Sequence, residues 1–347
     1  MRPGLLPDNP LERIAIRANL APVPDGHAMF GMPMSRVTIA GVRMGVFARL
    51  ARGPATAEEV ARDISAHVEG TLLLLESLAA LDQVERERGT YSLSRAGRKW
   101  LDPASDTYVG THVENCLDYW EWWARLEDVI RTGKGVEIHD FAPDDPHWRR
   151  YIRGQFELAR LSAPEVAGAL RLPPGPRRLL DVAGGHGWFA AELCRRHPGL
   201  HATVLDLPAS AAVGREIIAE QGMADRVTHV DGDMMSADLG GPHDAVLCFN
   251  IVHHLTPEAN LALLRRIRDA LSPGGTVAVL DLFMPPPDTR ADVGAMLGLF
   301  FYLTSSAATY TEDQLRDWLA QAGFDRPRRI KLRRLPNLAL FEARRSS

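Results

Sequence analysis

Apolar positions along the first hundred residues recur with a helical period. Ile39, Val42, Val46, Phe47 and Leu50 mark one helix beginning near Val37. The stretch Gly53-Pro-Ala-Thr-Ala-Glu-Glu59 then supplies a turn and a capping box at Thr56, opening a second helix over residues 57–64. A third helix over 69–81 carries Leu72, Leu75, Leu78 and Leu81, and residues 84–93 form a short two-stranded wing, so the pattern predicts a winged helix-turn-helix. Residues 1–35, punctuated by Pro22, Pro24 and Pro33, read as an irregular arm. Residues 105–170 read as helical, with Tyr119, Trp120, Trp122 and Trp123 crowded together ahead of Trp148, Tyr151 and Phe156.

Beyond the hinge Pro173-Pro-Gly-Pro176 the pattern changes to short apolar runs alternating with amphipathic helices. Strands are predicted at 179–182, 202–206, 226–233, 244–249 and 276–280. Residues 329–334 and 338–342 flank Pro336-Asn337 as a hairpin. This alternation requires a Rossmann-like, doubly wound α/β sheet, here behind a mainly helical winged-helix domain. The expected division is 1–104, 105–172 as a helical connector contributing to a substrate pocket, and 173–347 as the cofactor-binding catalytic domain.

The chemistry gathers where the first of these strands meets Gly184, Gly185 and Gly187 and emerges as a helix, the arrangement of a nucleotide-cofactor turn. Gly185-His-Gly-Trp-Phe-Ala190 spells a dinucleotide fingerprint, but Asp181 ends the strand just before it. A carboxylate there repels a pyrophosphate and suits a ligand carrying an ammonium and a sulfonium. Asp206, ending the second strand, is placed to accept hydrogen bonds from ribose hydroxyls, and Asp233 to meet an adenine edge.

These residues, with Asp206-Leu-Pro208, Gly232-Asp-Met234, Asn250-Ile-Val-His-His-Leu255, Leu271-Ser-Pro-Gly-Gly275 and Ala322-Gly-Phe324, resemble the class I S-adenosylmethionine-dependent small-molecule O-methyltransferases with an N-terminal winged-helix dimerisation domain. The resemblance spans nearly the whole chain. It implies a sheet ending in an antiparallel strand, a homodimer interlocked through the N-terminal domain, and S-adenosylmethionine as methyl donor, leaving S-adenosylhomocysteine. The cofactor residues it implies are Asp181, Gly184, Gly185, Gly187, Asp206, Leu207, Asp233, Met234 and Asn250. His253 falls on the family's general base, His254 on the acidic position that follows it, and Asp281 on a carboxylate that orients the base. A phenol titrates near pH 10 and an imidazole near 6.5, so an imidazole can accept the proton as the bond to carbon forms.

Three positions depart from the family pattern. Ala183 replaces the first glycine of the turn, a change tolerated if that residue keeps negative φ. Phe249 replaces a lysine that contacts adenosine, and Ser306-Ala-Ala-Thr-Tyr310 replaces a segment that supplies a second acid beside the base. The missing acid leaves C- or N-methylation, or a non-methylating use of the cofactor, as the alternative to O-methylation of an aromatic or polyketide-like hydroxyl. Trp120, Trp123, Met296 and Phe300 are candidates for the acceptor pocket.

Composition narrows the partners. With 347 residues and 46% hydrophobic content, the chain can bury a large core. A net charge of -4 gives no footprint for nucleic acid. Residues 67–83 carry no Lys or Arg but do carry Glu69, Glu76 and Asp82, which would repel phosphates. The run Leu72-Leu-Leu-Leu75 is more apolar than one core needs and suits a second subunit. Cys116, Cys194 and Cys248 show no metal-ligand spacing, and no metal is expected. Nothing resembles a signal peptide, and the longest apolar run, 293–303, is too short to span a bilayer, so a cytoplasmic enzyme without membrane partners is expected.

Overall fold

The computed structural model describes residues 7, 9–284, 293–335 and 338–346. Two compact units divide at Met1–Leu117 and Asp118–Ser347. In the first, helices α1 (Pro10–Arg17), α2 (Val23–Arg43), α3 (Val46–Ala51), α4 (Ala57–Asp63) and α5 (Val68–Ala80) precede the wing strands β1 (Val84–Glu87) and β2 (Thr90–Leu93), and α6 (Arg95–Trp100) and α7 (Gly110–Asn115) follow.

The arm expected to be irregular is instead helical. Pro10 and Pro24 occupy the first turns of α1 and α2, where a missing N–H is no loss, and the Asn9 side chain caps α1 by accepting from the Glu12 amide. Pro33 lies inside α2 without ending it. What ends α2 is Gly45, whose φ of 76° breaks the expected single helix into α2 and α3. The capping box at Thr56 forms as the pattern requires. Val46, Phe47, Leu50, Val60, Leu75 and Leu78 fill this unit's core. On α5 the inward face is Thr71, Leu75 and Leu78, so Leu72 and Leu73 are left 40% and 63% exposed.

In the second unit, α8 (Tyr119–Trp123), α9 (Leu126–Thr132) and the long α10 (Pro146–Ala169) lead into β3 (Arg178–Val182), α11 (Trp188–Arg196), β4 (His201–Asp206), α12 (Pro208–Glu220), β5 (Val227–Asp231) and β6 (His243–Phe249). A 3-10 turn (Val252–His254), α13 (Pro257–Ala270), β7 (Leu271–Met284), α14 (Val293–Ser305), β8 (Tyr310–Thr311), α15 (Glu312–Gln321), β9 (Arg328–Ile330) and β10 (Leu338–Arg344) complete it. The sheet order is β5-β4-β3-β6-β7-β10-β9, with β8 paired to β7. Strands β3 to β7 are parallel, and β10 runs antiparallel between β7 and β9. The turn expected at Pro336-Asn337 lies outside the described residues, and the third strand stops at Asp231, short of Asp233.

Successive strand residues alternate between two cores. Leu179, Val204, Leu247 and Leu280 face α10, α11 and α12, while Leu180, Val246, Val279 and Phe341 face α13 and α15. Strands buried on both faces explain why each reads as a continuous apolar run. The unit boundary falls at Leu117, and α10 contributes Ile152, Phe156, Ala163 and Val166 to the first of these cores, so much of the expected connector packs as part of the sheet-bearing unit. Among the described residues no helix is long and apolar enough to cross a membrane.

The strand order reverses at β3, between β4 and β6, which is where an open α/β sheet leaves a crevice beyond its carboxyl ends. The chain leaves β3 through Ala183, whose φ is +50°, against the expectation of negative φ. The turn demands the left-handed region here, where a Cβ is strained. Ala183→Gly is therefore expected to raise stability by about 0.5–1 kcal/mol, read as a higher midpoint in denaturant with an unchanged slope; a lower midpoint would show that the alanine is not strained.

Candidate active site

A cavity of about 430 Å³ opens over the carboxyl ends of β3, β4 and β6. Asp181, 2% exposed, points its carboxyl group beneath the turn, and a Cβ on Gly184 would come within 2.4 Å of its Cγ. Gly185 donates its N–H to Asp206 Oδ2 at 2.6 Å, and Leu207 donates to Oδ1 of the same side chain at 2.7 Å. Beneath the turn the His229 ring and the Gly185 carbonyl oxygen are hydrogen-bonded at 2.9 Å, and His186 Nδ1 accepts the Trp188 N–H at 2.9 Å.

Burial dominates the electrostatics here. It pushes Asp181 up to about 8, with the neighbouring Asp206 adding to the shift. Asp206 rises to about 6, burial outweighing the N–H groups that stabilise its charge. His186 falls to about 3, through burial first and His229 second.

Of the expected cofactor residues, Asp181, Gly184, Gly185, Asp206, Leu207, Asp233, Met234 and Asn250 all line the cavity. Gly187 does not; at φ 68° it closes the turn into α11, with the His229 ring and Val204 just beneath it. Asn250 adopts φ 57° and donates its N–H to Leu280 O at 2.7 Å, so the chain turns away from the sheet immediately after β6. Asp233 Oδ1 accepts the Met235 N–H at 2.7 Å, which fixes the bend after β5.

The 3-10 turn after β6 carries both histidines. His253 Nδ1 meets Asp281 Oδ1 at 2.6 Å, the two residues being 4% and 0% exposed, and the Leu282 N–H donates to the same oxygen at 2.7 Å. Phe301 of α14 stacks on the His253 ring with centroids 3.6 Å apart. The His254 ring lies beside that of His253, centroids 4.1 Å apart, and His254, not His253, lines the cavity, with Nδ1 2.6 Å from Ser305 Oγ. His139 stands edge-on to it at 4.5 Å. Burial and the adjacent His253 and His139 hold His254 well below the usual imidazole range, and burial lowers His139 to about 4.

Sequence reasoning missed several contributors. Asn260, 2% exposed, donates from Nδ2 to the carbonyls of Val252 at 3.0 Å and Leu255 at 3.2 Å, clamping the histidine turn. A lone polar residue on the apolar face of α13 was the available signal. Nothing local marks His139 or Ser305 as cavity-lining residues.

Of the residues expected near the acceptor, Trp120, Trp123, Met296 and Phe300 do not line this cavity, whereas Trp148 and Tyr151 of the same aromatic run do, with Ile152 of α10 beside them. Trp123 and Phe300 turn toward each other, with ring centroids 6.1 Å apart, beside the core of Trp122, Val129, Ile138 and Leu303. Met296 is 52% exposed and Trp120 is half-buried. Apolar rings near one another satisfied each other first. The loop before α10 closes the far wall: Val136 and Ile138 donate N–H groups to Leu303 O at 2.8 Å and Thr304 O at 3.1 Å, at the end of α14.

Comparison with known proteins places this geometry. Residues 123–325 match the model of the O-methyltransferase domain, and residues 27–103 that of the O-methyltransferase dimerisation domain. The chain is 30% identical over 309 residues to 3-hydroxy-5-methyl-1-naphthoate 3-O-methyltransferase of Streptomyces sahachiroi, covering 87% of this chain and 89% of that protein. It is 32% identical over 301 residues to the tetracenomycin polyketide synthesis 8-O-methyl transferase of Streptomyces glaucescens, with 84% and 87% covered. Human N-acetylserotonin methyltransferase, solved in complex with S-adenosylmethionine, shares the fold at a TM-score of 0.83 with 20% identity, over 98% of this chain and 99% of that one. The chain belongs to the O-methyltransferase family and is an enzyme that takes its methyl group from S-adenosylmethionine.

Proposed function

We propose that the enzyme methylates a hydroxyl of an aromatic, polyketide-like small molecule, with His253 taking the hydroxyl proton and Asp281 holding the imidazole. The observation that carries this assignment is the buried 2.6 Å bond between them. With Nδ1 committed to the carboxylate, Nε2 is the nitrogen left to accept a proton, and Asp281 stabilises the imidazolium that results. Phe301 covers a face of the ring, which leaves the in-plane edge for the acceptor. Relatives acting on a naphthoate, on tetracenomycin intermediates and in mitomycin biosynthesis support the aromatic acceptor class.

The cofactor fits the residues present. Asp181 is a buried carboxylate and Asp206 a half-buried one, both on the cavity wall, and Gly184, having no Cβ, lets the Asp181 carboxyl group lie directly against the turn. In this reading Asp181, Gly184 and Gly185 receive the cationic end, Asp206 and Leu207 the ribose, and Asp233, Met234 and Asn250 the adenine side. The bound donor supplies an electrophilic methyl on a sulfonium; the protein aligns the acceptor oxygen with it and removes the proton. A second copy of the chain is the partner that covers Leu72 and Leu73, supported by the dimerisation-domain match. N-methylation is the second reading, favoured by the absence of an acid across residues 306–310 and by 29% identity to an N,N-dimethyltransferase of Streptomyces rimosus.

His253→Ala is expected to lower the methyl-transfer rate about 10²-fold or more while leaving the calorimetric affinity for S-adenosylhomocysteine unchanged. Asp281→Asn should lower the rate less. Full activity in His253→Ala, with loss in His254→Ala, would move the base to the neighbouring ring, and a product methylated on nitrogen would establish the second reading.

Acid should weaken donor binding. Asp206 and Asp181 titrate near about 6 and about 8, so both hold protons as pH falls, and a cation binds best when they are ionised. Affinity for S-adenosylmethionine is expected to drop from about pH 8 to about pH 5, with protons released on binding at neutral pH. In the free protein the sign is opposite. Raised carboxyl values mean that the folded chain holds more protons than the unfolded one above about pH 4, so these two groups withdraw stability as pH rises through 6 and 8. Calorimetry in buffers of different ionisation enthalpy reads the released protons; a pH-independent affinity would remove both acids from the donor site.

A further inference from the structure

The charge inventory of the cavity identifies a class of acceptor. Glu137, Asp140, Asp181, Asp206 and Asp233 line it, and among the described residues no Lys or Arg does. Its three histidines add no positive charge at neutral pH: His139 and His186 titrate at about 4 and about 3, and burial, with His253 and His139 beside it, holds His254 well below the usual imidazole range. The methyl donor brings a sulfonium, an ammonium and its own carboxylate. In the proposed reading its cationic end meets Asp181, and among the described residues no Lys or Arg lines the cavity to hold a second anion.

The acceptor end has a definite construction. His254 Nδ1 is tied to Ser305 Oγ, which leaves Nε2 for a ligand, and His139 stands perpendicular to the His254 ring. His139 is placed by the loop that pairs Val136 and Ile138 with the last carbonyls of α14. Glu137 and Asp140 sit on the exposed rim of the same wall. A ligand reaching the histidines passes carboxylates and ends against neutral imidazole edges.

We propose that the acceptor is uncharged where it enters this wall, a neutral phenol or enol recognised by hydrogen bonds from His254 and His139, and that acceptors carrying a free carboxylate are disfavoured, which would set this chain apart from the relative named for a naphthoate. The inference rests on the reading of this cavity as the joint donor and acceptor site, with the His253 ring beside that of His254, centroids 4.1 Å apart, at its edge and not on its wall. Even at a protein-like effective dielectric, an extra anion near uncompensated acids is disfavoured by about tenfold or more.

The test uses the full-length protein loaded with S-adenosylhomocysteine, whose binding is measured first. A hydroxynaphthoic acid and its methyl ester are then titrated calorimetrically near neutral pH, and in separate reactions supplied with S-adenosylmethionine methyl transfer to each is followed by mass spectrometry. The ester is expected to bind about tenfold or more tighter than the acid and to be the better methyl acceptor. Asp140→Lys, on the exposed rim, should narrow the ester-over-acid preference about threefold or more. Equal binding of the pair, preference for the acid, or failure of both to bind the loaded protein overturns the proposal while leaving the donor site standing. Failure to bind S-adenosylhomocysteine overturns the donor reading and this inference with it.

Discussion

The site depends on two carboxylates placed where the sheet reverses its strand order. Asp181 is buried at the end of β3, and among the described residues no Lys or Arg lines the cavity with it. The backbone above it is shaped by that fact: Gly184 must lack a side chain because the carboxyl group occupies its space, and Gly185 gives its N–H to Asp206. His229 holds the Gly185 carbonyl from below, and Gly214 of α12 lies so close to both that a Cβ there would meet the carbonyl at 2.3 Å. A tightly packed support thus holds an electrostatically unfavourable arrangement, as expected where a ligand's charge completes the site.

The catalytic pair follows from strand register. β6 and β7 are parallel neighbours with Phe249 opposite Leu280, so the residues just beyond each meet at one level. Asp281 therefore stands beside the turn that carries His253, though 28 positions separate them in sequence. Asn260 and the Tyr310 hydroxyl hold that turn through the carbonyls of Val252 and Leu255. The two imidazoles stay close, with ring centroids 4.1 Å apart, yet only that of His254 lines the cavity.

Much of this was legible in the sequence because it was local. Parallel strands announce themselves as continuous apolar runs, Thr56 and Glu59 form their reciprocal cap, and the turn after β3 is written in glycines. The helical arm was hidden because proline signals a break in the interior of a helix and a start in its first turn, and residue type does not distinguish the two. Ala183 looked benign because its φ is set by the path of the turn and not by the residue. The walls of the cavity were the least legible part. His139 reaches His254 only because a distant loop docks on α14, and the tryptophans that seemed to await a substrate had Phe300 and one another for company.

That docked loop also changes how α14 ends. A helix leaves its last carbonyls without internal partners, and here two of them are taken by amides of residues 136 and 138. The wall holding His139 and the helix end holding Ser305 are consequently one mechanical piece. Fraying of that last turn would release both residues together, so the acceptor side of the chamber loosens as a whole, while the glycine turn on its opposite side, anchored in the sheet, keeps its shape.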